Sequence, residues 1–265
     1  MPDAANDPVD TLERLKEETL ARRHEIVSHL EESRGSKIIT LIHRVEPWSE
    51  DSDEITIEDS EYVLMNIHRT PRDQPIDLVI HTPGGLVLSA EMIARALKVH
   101  QGKVTAFVPF YAMSGGTMIA LAADEIVMES FSVLGPLDPQ IGGRPAGALL
   151  SILEHKPIEA IADDTLVLAS IARQAVEQVK AFVHWLMQGR LEPAQLEMLA
   201  EFLTGGYLTH DAPLTPESLQ GMGVKISSGV PEAVYDLFST CEFGVCKRPC
   251  IAHYDHLIDT NRGDE

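Results

Sequence analysis

The stretch FYAMSGGTMIALAADEIVM, residues 110–128, decides how the rest of the chain is read. It sets one small hydroxyl residue, Ser114, between an apolar run and two consecutive glycines, with no charged residue between Lys103 and Asp124. An apolar segment broken by Ser-Gly-Gly and resumed by small apolar residues reads as a junction, a short buried helix over SGGTMIALAAD and a short strand over EIVM. Ser114 is then either a nucleophile at a helix start or a small residue where a helix packs closely.

Outward from this stretch the same alternation continues. KVTAFVPF (103–110) is a strand leading into it. Before it, PIDLVIHTPGG (75–85) is an apolar strand stopped by Pro83, Gly84 and Gly85, followed by LVLSAEMIARALKVH (86–100) with helical spacing. SKIITLIHRVE (36–46) is a β-branched strand, and the acidic loop PWSEDSDEITIEDS (47–60) leads to a helix around SEYVLMNIHRT (60–70). Downstream, the Pro/Gly-dense SVLGPLDPQIGGRPAG (132–147) is a loop. A long helix starts near Asp163 or Asp164, either of which can cap it. A helix over 192–206 follows, then a short helix and strand over 214–226. Buried strands alternating with helices predict an α/β fold with a largely parallel sheet.

Residues 10–34 carry Leu12, Leu15, Leu20, Ile26, Val27 and Leu30 among charges, an amphipathic arm for the chain's own surface or a subunit contact. Three parts result: a helical arm at 1–35, a core domain at 36–235, and a polar tail at 236–265.

Composition narrows the function. With 265 residues, 44% of them hydrophobic, the chain supports one sizeable core. A formal charge of −20 repels polyphosphates and anionic lipid, so nucleic acid is not an expected partner. No run reaches the roughly 18 to 20 apolar residues of a spanning helix and no leader pattern opens the chain, so a cytoplasmic protein without an integral membrane segment is expected. The cysteines cluster at Cys241, Cys246 and Cys250, near His253 and His256. Their spacing matches none of the common zinc patterns, and the expectation is no metal. No calcium loop or Walker-type phosphate loop is present, so no cofactor is expected.

Two junctions share one chemistry, HTPGG at 81–85 and AMSGG at 112–116. Glycine opens backbone conformations closed to other residues, and the amides at a helix start favour negative charge. A carbonyl between two such turns would have its oxyanion stabilised from both sides. Ala112 stands where a Gly-x-Ser-x-Gly elbow needs its first glycine, which disfavours the α/β-hydrolases.

HTPGG after a strand, then YAMSGGTMIALAADEIVM, then LGPLDPQIG, resembles the Clp protease/crotonase superfold as serine peptidases use it. Within it, HKPIEAIADDTLVLASIARQAV (155–176) and LTGGYLTHDAPLTPESLQGMGV (203–224) resemble the serine dehydrogenase proteinase family, related to signal peptide peptidase A. The resemblance covers about residues 36–226 and implies a Clp/crotonase-like ββα superhelix, here with an N-terminal helical arm. It implies Ser114 as nucleophile, with the oxyanion hole formed by the amides of Gly85 and Gly115. No histidine stands between Gly115 and Glu154, where a Clp-type triad needs one. The lysine of the signal peptide peptidase A pattern matches Lys156, 42 residues after Ser114, which makes a Ser-Lys dyad the expectation. His155 is the alternative base, since it needs no large pKa shift. His81 beside the oxyanion turn, and His210 with Asp211 in YLTHDAPLT, are alternative bases or supporting residues whose ordinary reading is structural.

The expectation is therefore an ATP-independent serine peptidase acting on peptide or protein substrates, assembled as a homo-oligomer. The alternatives are a crotonase-like acyl-CoA hydratase or isomerase, disfavoured because no carboxylate adjoins either glycine pair, and a catalytically silent scaffold.

Overall fold

The computed structural model describes residues 8–44 and 54–240. Along the chain run helix α1 (Pro8–Arg34), strand β1 (Lys37–Ile42), α2 (Ile57–Arg69), β2 (Ile76–His81), α3 (Val87–Lys98), β3 (Val104–Val108), β4 (Tyr111–Ala112), α4 (Gly115–Ala122) and β5 (Glu125–Met128). There follow β6 (Val133–Leu134), β7 (Gln140–Ile141), β8 (Arg144–Pro145), α5 (Ala146–His155), α6 (Asp163–Met187), α7 (Pro193–Thr204), α8 (Pro216–Gly221), β9 (Ile226–Ser227) and α9 (Glu232–Ser239).

The main sheet has the order β1-β2-β3-β5-β9, and every pair in it is parallel. Every residue of β2 and of β3 is buried. A parallel sheet covered by helices on both faces gives strands that are apolar along their length rather than alternating, which is how IDLVIH and VTAFV read. One face of the sheet packs Leu78, Ile80, Ala106 and Ile126 against α3, α4 and α6, through Ile93, Leu97, Ile119 and Val183. The other packs Val79, Phe107 and Val127 against α1 and α9, through Ile26, Leu30, Val234 and Phe238. The arm helix α1 thus covers its own chain's sheet, anchored further by Arg34, which pairs with the buried Asp77 on β2.

Four details differ from the sequence expectations. The long helix is capped by Ala162, with Asp163 and Asp164 in its first turn, where they favour the helix dipole without capping. Helix α5 starts at the end of the expected loop and runs through residues 148–155, for which the sequence suggests no element; Pro145 and Gly147 at its start read as loop. Helix α2 begins at Ile57 because Thr56 and Asp59 form a capping box inside the acidic loop. Helix α9 crosses the expected boundary at residue 235. The remainder of the expected tail, with Cys241, Cys246, Cys250, His253 and His256, lies outside the described residues.

Candidate active site

Helix α4 is buried over its whole length, so its N-terminus can lie close to the sheet's carboxyl edge, where ligands bind in open α/β sheets. Gly115, Gly116, Ala120 and Ala122 give it a slim profile, and the Thr117 hydroxyl fixes it, accepting the Gly135 N–H at 2.9 Å and sharing its one proton between the carbonyls of Ala112 at 2.8 Å and Gly135 at 2.9 Å. At the other end, the Arg190 guanidinium donates to the carbonyls of Leu121, Ala122 and Ala123 at 2.7–2.9 Å and closes the helix C-terminus.

Ser114 holds the cap position at the front of α4 with φ +49° and ψ −116°, and no other non-glycine residue has positive φ among the described residues. A serine at this position normally has extended backbone and turns its hydroxyl onto the helix amides. Here it makes no such cap bond, so the hydroxyl is not consumed by the helix. The conformation is costly for a residue with a Cβ, on the order of 1–3 kcal/mol, and such strain gathers at functional positions.

The HTPGG turn packs directly on it. A Cβ on Gly84 would stand 2.8 Å from the Cβ of Ser114, and Gly85 lies beside Gly115. Gly84 and Gly85 adopt φ +113° and +148°, so both positions require glycine. Ser114, Gly84, Gly85 and Gly115 share a cleft of about 400 Å³, whose other walls include Leu86, Val87, Met118, Leu137 and Val179, with Glu54, Asp138, Gln140 and His210 as its polar groups. Leu86 and Val87 are exposed at its edge.

The other expected residues are distributed unevenly. His210 lines this cleft, with Nδ1 3.3 Å from the Gln140 amide nitrogen. Asp211 is exposed and does not line it. His155 ends α5 with Nδ1 2.7 Å from the Ser151 carbonyl, and Lys156 caps that helix in extended backbone; both are exposed and outside the cleft. His81 is buried among Phe110, Tyr111 and Phe238, with Nδ1 unpartnered. Burial, helped by the charge of Arg44, pushes its pKa down to about 4, so it is a neutral member of the aromatic cluster behind the turn.

Three polar groups of the cleft escaped the sequence reading. Glu54 sits in the acidic loop, read as solvated, and Asp138 and Gln140 sit in LGPLDPQIG, read as a turn. Asp138 is buried; its Oδ2 accepts from the Gln140 amide at 3.0 Å while Oδ1 has no partner. Burial raises the Asp138 pKa, against the opposing pull of the Gly147 amide and of His210. An aspartate set between Pro136 and Pro139 in an otherwise apolar loop is the signal the sequence offers. Among the described residues, no group of three or more His, Cys, Asp or Glu is placed to hold a metal ion, and no helix is long and apolar enough to cross a membrane.

The family that matches this chain agrees with the fold. An uncharacterised protein of Methanocaldococcus jannaschii, MJ1495, is 44% identical over 222 residues, covering 82% of this chain and 76% of its own. A second from the same organism, MJ0137, is 42% identical over 245 residues, covering 91% of this chain and 86% of its own. Among solved structures, ClpP1 from Listeria monocytogenes aligns over 73% of this chain and 92% of its own, with 15% identity and a TM-score of 0.46. Residues 12–262 match the family described as ClpP-like SDH-type serine proteinase, and the chain belongs to that family.

Proposed function

We propose that this protein hydrolyses peptide bonds through an acyl-enzyme on Ser114, without ATP. The observation that carries the reading is the strained, uncapped Ser114 at the start of α4, packed against the Gly84–Gly85 turn inside one cleft. In the first step the Ser114 Oγ attacks the scissile carbonyl carbon and its proton passes to a base. The tetrahedral oxyanion is held by the Gly85 and Gly115 amides, and the amine leaves with the proton from the base. Water then repeats the sequence on the acyl-serine. The apolar walls suit a peptide side chain, and a negative surface disfavours strongly anionic substrates.

The base is Lys156 on its position in the family pattern. Its amine is exposed at the end of α5, and Ile158, Val167 and Ile171, which follow it in the chain, are exposed as well. Exposed apolar side chains of this kind support contact with a second copy of the chain, in which the lysine would be desolvated. A second reading is favoured by one observation: His210 lines the Ser114 cleft within the same chain. Its Nδ1, which faces the Gln140 amide donor and is therefore the unprotonated nitrogen of a neutral ring, would serve as base by leaving that bond.

Labelling by a fluorophosphonate probe, with cleavage of an unfolded protein substrate, tests both readings in Ser114→Ala, Lys156→Ala and His210→Ala across about pH 6 to 10. Labelling and cleavage lost in the Ser114 variant are expected. Loss in the Lys156 variant with survival in the His210 variant assigns the lysine, and the converse assigns the histidine. A folded wild type that neither labels nor cleaves overturns the peptidase reading.

A further inference from the structure

We infer that Asp59, His43 and Thr82 form a hydrogen-bonded relay that positions the Gly84–Gly85 turn; its consequence for catalysis rests on the peptidase reading above. Thr82 is fully buried. Its Oγ1 lies 2.8 Å from His43 Nδ1 and accepts the Gly84 N–H at 3.1 Å. On the far side of the ring, His43 Nε2 lies 3.2 Å from Asp59 Oδ2. That carboxylate is itself fixed, accepting the Thr56 N–H at 2.7 Å and the Thr56 hydroxyl at 3.0 Å in the capping box of α2.

The chemistry of the groups gives the relay a direction. An ionised carboxylate only accepts, so Nε2 donates to Asp59; when the ring carries this one proton, Nδ1 is left to accept. The Thr82 hydroxyl therefore gives its proton to Nδ1 and keeps its lone pairs for the Gly84 N–H. Without the imidazole, that proton is free to turn toward the Gly84 carbonyl, 3.4 Å from Oγ1, and the hydroxyl holds the turn differently.

Thr82 also knows where Ser114 is. Its N–H donates to the Tyr111 carbonyl at 3.3 Å, its own carbonyl accepts the Met113 N–H at 2.9 Å, and its methyl fills the space beside Gly116 that a Cβ there would need. Two successive residues with positive φ cannot stiffen themselves, because glycine has little intrinsic preference. The turn is clamped from one side by the Ile55 backbone, whose N–H donates to the Gly84 carbonyl at 2.6 Å and whose carbonyl accepts the Leu86 N–H at 2.9 Å. From the other side it is held by Thr82. Ile55, Thr56 and Asp59 belong to one short segment, so His43 closes a ring of bonds around the residue that precedes the Gly85 amide. His43, Asp59 and Thr82 are positioning residues, acting on substrate only through that turn.

Thr82→Val keeps the methyl and the backbone bonds but removes the hydroxyl, whereas Thr82→Ser keeps the hydroxyl. Fluorophosphonate inactivation, resolved into kinact and KI, separates positioning from binding. The expected result is a fall in kinact of about tenfold or more in Thr82→Val with KI within about twofold, near-normal kinact in Thr82→Ser, and a His43→Ala/Thr82→Val pair no slower than Thr82→Val alone. Amide hydrogen exchange of the peptide spanning residues 82–86 is expected to quicken in Thr82→Val and in His43→Ala. Unchanged kinact in Thr82→Val, or an equal fall in Thr82→Ser, overturns the relay. If the wild type does not react at Ser114, the peptidase reading fails and exchange alone judges the clamp: faster exchange upholds it, unchanged exchange removes it.

Discussion

Ser114 and Lys156 come from the same sequence pattern, yet they sit in opposite kinds of place. Ser114 stands at the front of a fully buried helix, with a backbone conformation imposed by the packing around it. Lys156 stands at the exposed end of a peripheral helix, where little in its own chain constrains it. The difference separates what a fold enforces on a residue from what a fold merely carries. The junction of Ser114, Gly85 and Gly115 is assembled by the core, whereas the base of the proposed reaction would come either from His210 in the cleft or from Lys156 through assembly.

The sharpest way to break that contrast is at the serine. Ser114→Ala is expected to lower labelling and peptide cleavage by about a thousandfold or more, because a lost nucleophile leaves only the oxyanion hole and binding. Its melting temperature should stay near that of the wild type, since the hydroxyl makes no cap bond. Unchanged cleavage in this variant would end the assignment.

The next effect is on the glycines. Gly84 has φ +113° and a Cβ added there would crowd the Ser114 Cβ at 2.8 Å and the Met113 carbonyl at 3.0 Å. Gly142 has φ +59° with open space around it. Gly84→Ala should therefore cost about 3–5 kcal/mol, the sum of strain and steric conflict, and Gly142→Ala only about 1–2 kcal/mol. Urea unfolding of the two variants checks the ratio. Equal costs would mean the turn yields easily and does not hold a preset oxyanion site.

The same distinction explains what the sequence disclosed. Apolar runs in β2 and β3 are dictated by burial on both faces, so IDLVIH and VTAFV were readable as parallel strands without any partner being known. Gly84 and Gly85 were readable because no other residue tolerates those φ values, and Ser114 because of what surrounds it. Asp138, Glu54 and Gln140 were not, since each reaches the cleft by tertiary packing of a loop whose local sequence signals only a turn or a solvated face. Helix α5 was hidden for a related reason: its first turn, with Gly147 after Pro145, continues a loop dense in Pro and Gly. His81 was placed beside the turn correctly in sequence, but which side of the strand its ring would occupy depended on Phe238, more than 150 residues away.

His81 gives the third test, a pH effect on stability. Its folded pKa, near 4, lies below the ordinary 6.5, so the unfolded chain takes up the proton first as the solution is acidified. Its contribution is intact above about pH 6.5 and is lost progressively as pH falls toward 4, amounting to about 3 kcal/mol at the end of that window. The wild type should lose stability over that range faster than His81→Phe, which fills the same aromatic cluster with no titrating group. Parallel curves for the two proteins would mean that the ring is reached by solvent or protonated in place.

The smallest expected effect is at Lys156, and it is informative because it is small. An exposed lysine contributes packing only through its stem, so Lys156→Ala should change the unfolding free energy of the isolated chain by no more than about 0.5 kcal/mol. A second copy that buries the amine against its own Ser114 cleft would change this, because binding adds to apparent stability in proportion to the logarithm of concentration. The variant's deficit would then grow as protein concentration is raised and vanish on dilution, with sedimentation reporting the matching loss of oligomer. A deficit near zero at every concentration, together with loss of labelling in His210→Ala, would instead put the base within the single chain. The exposed lysine would then be an ordinary surface residue, and the active site would be complete in one copy.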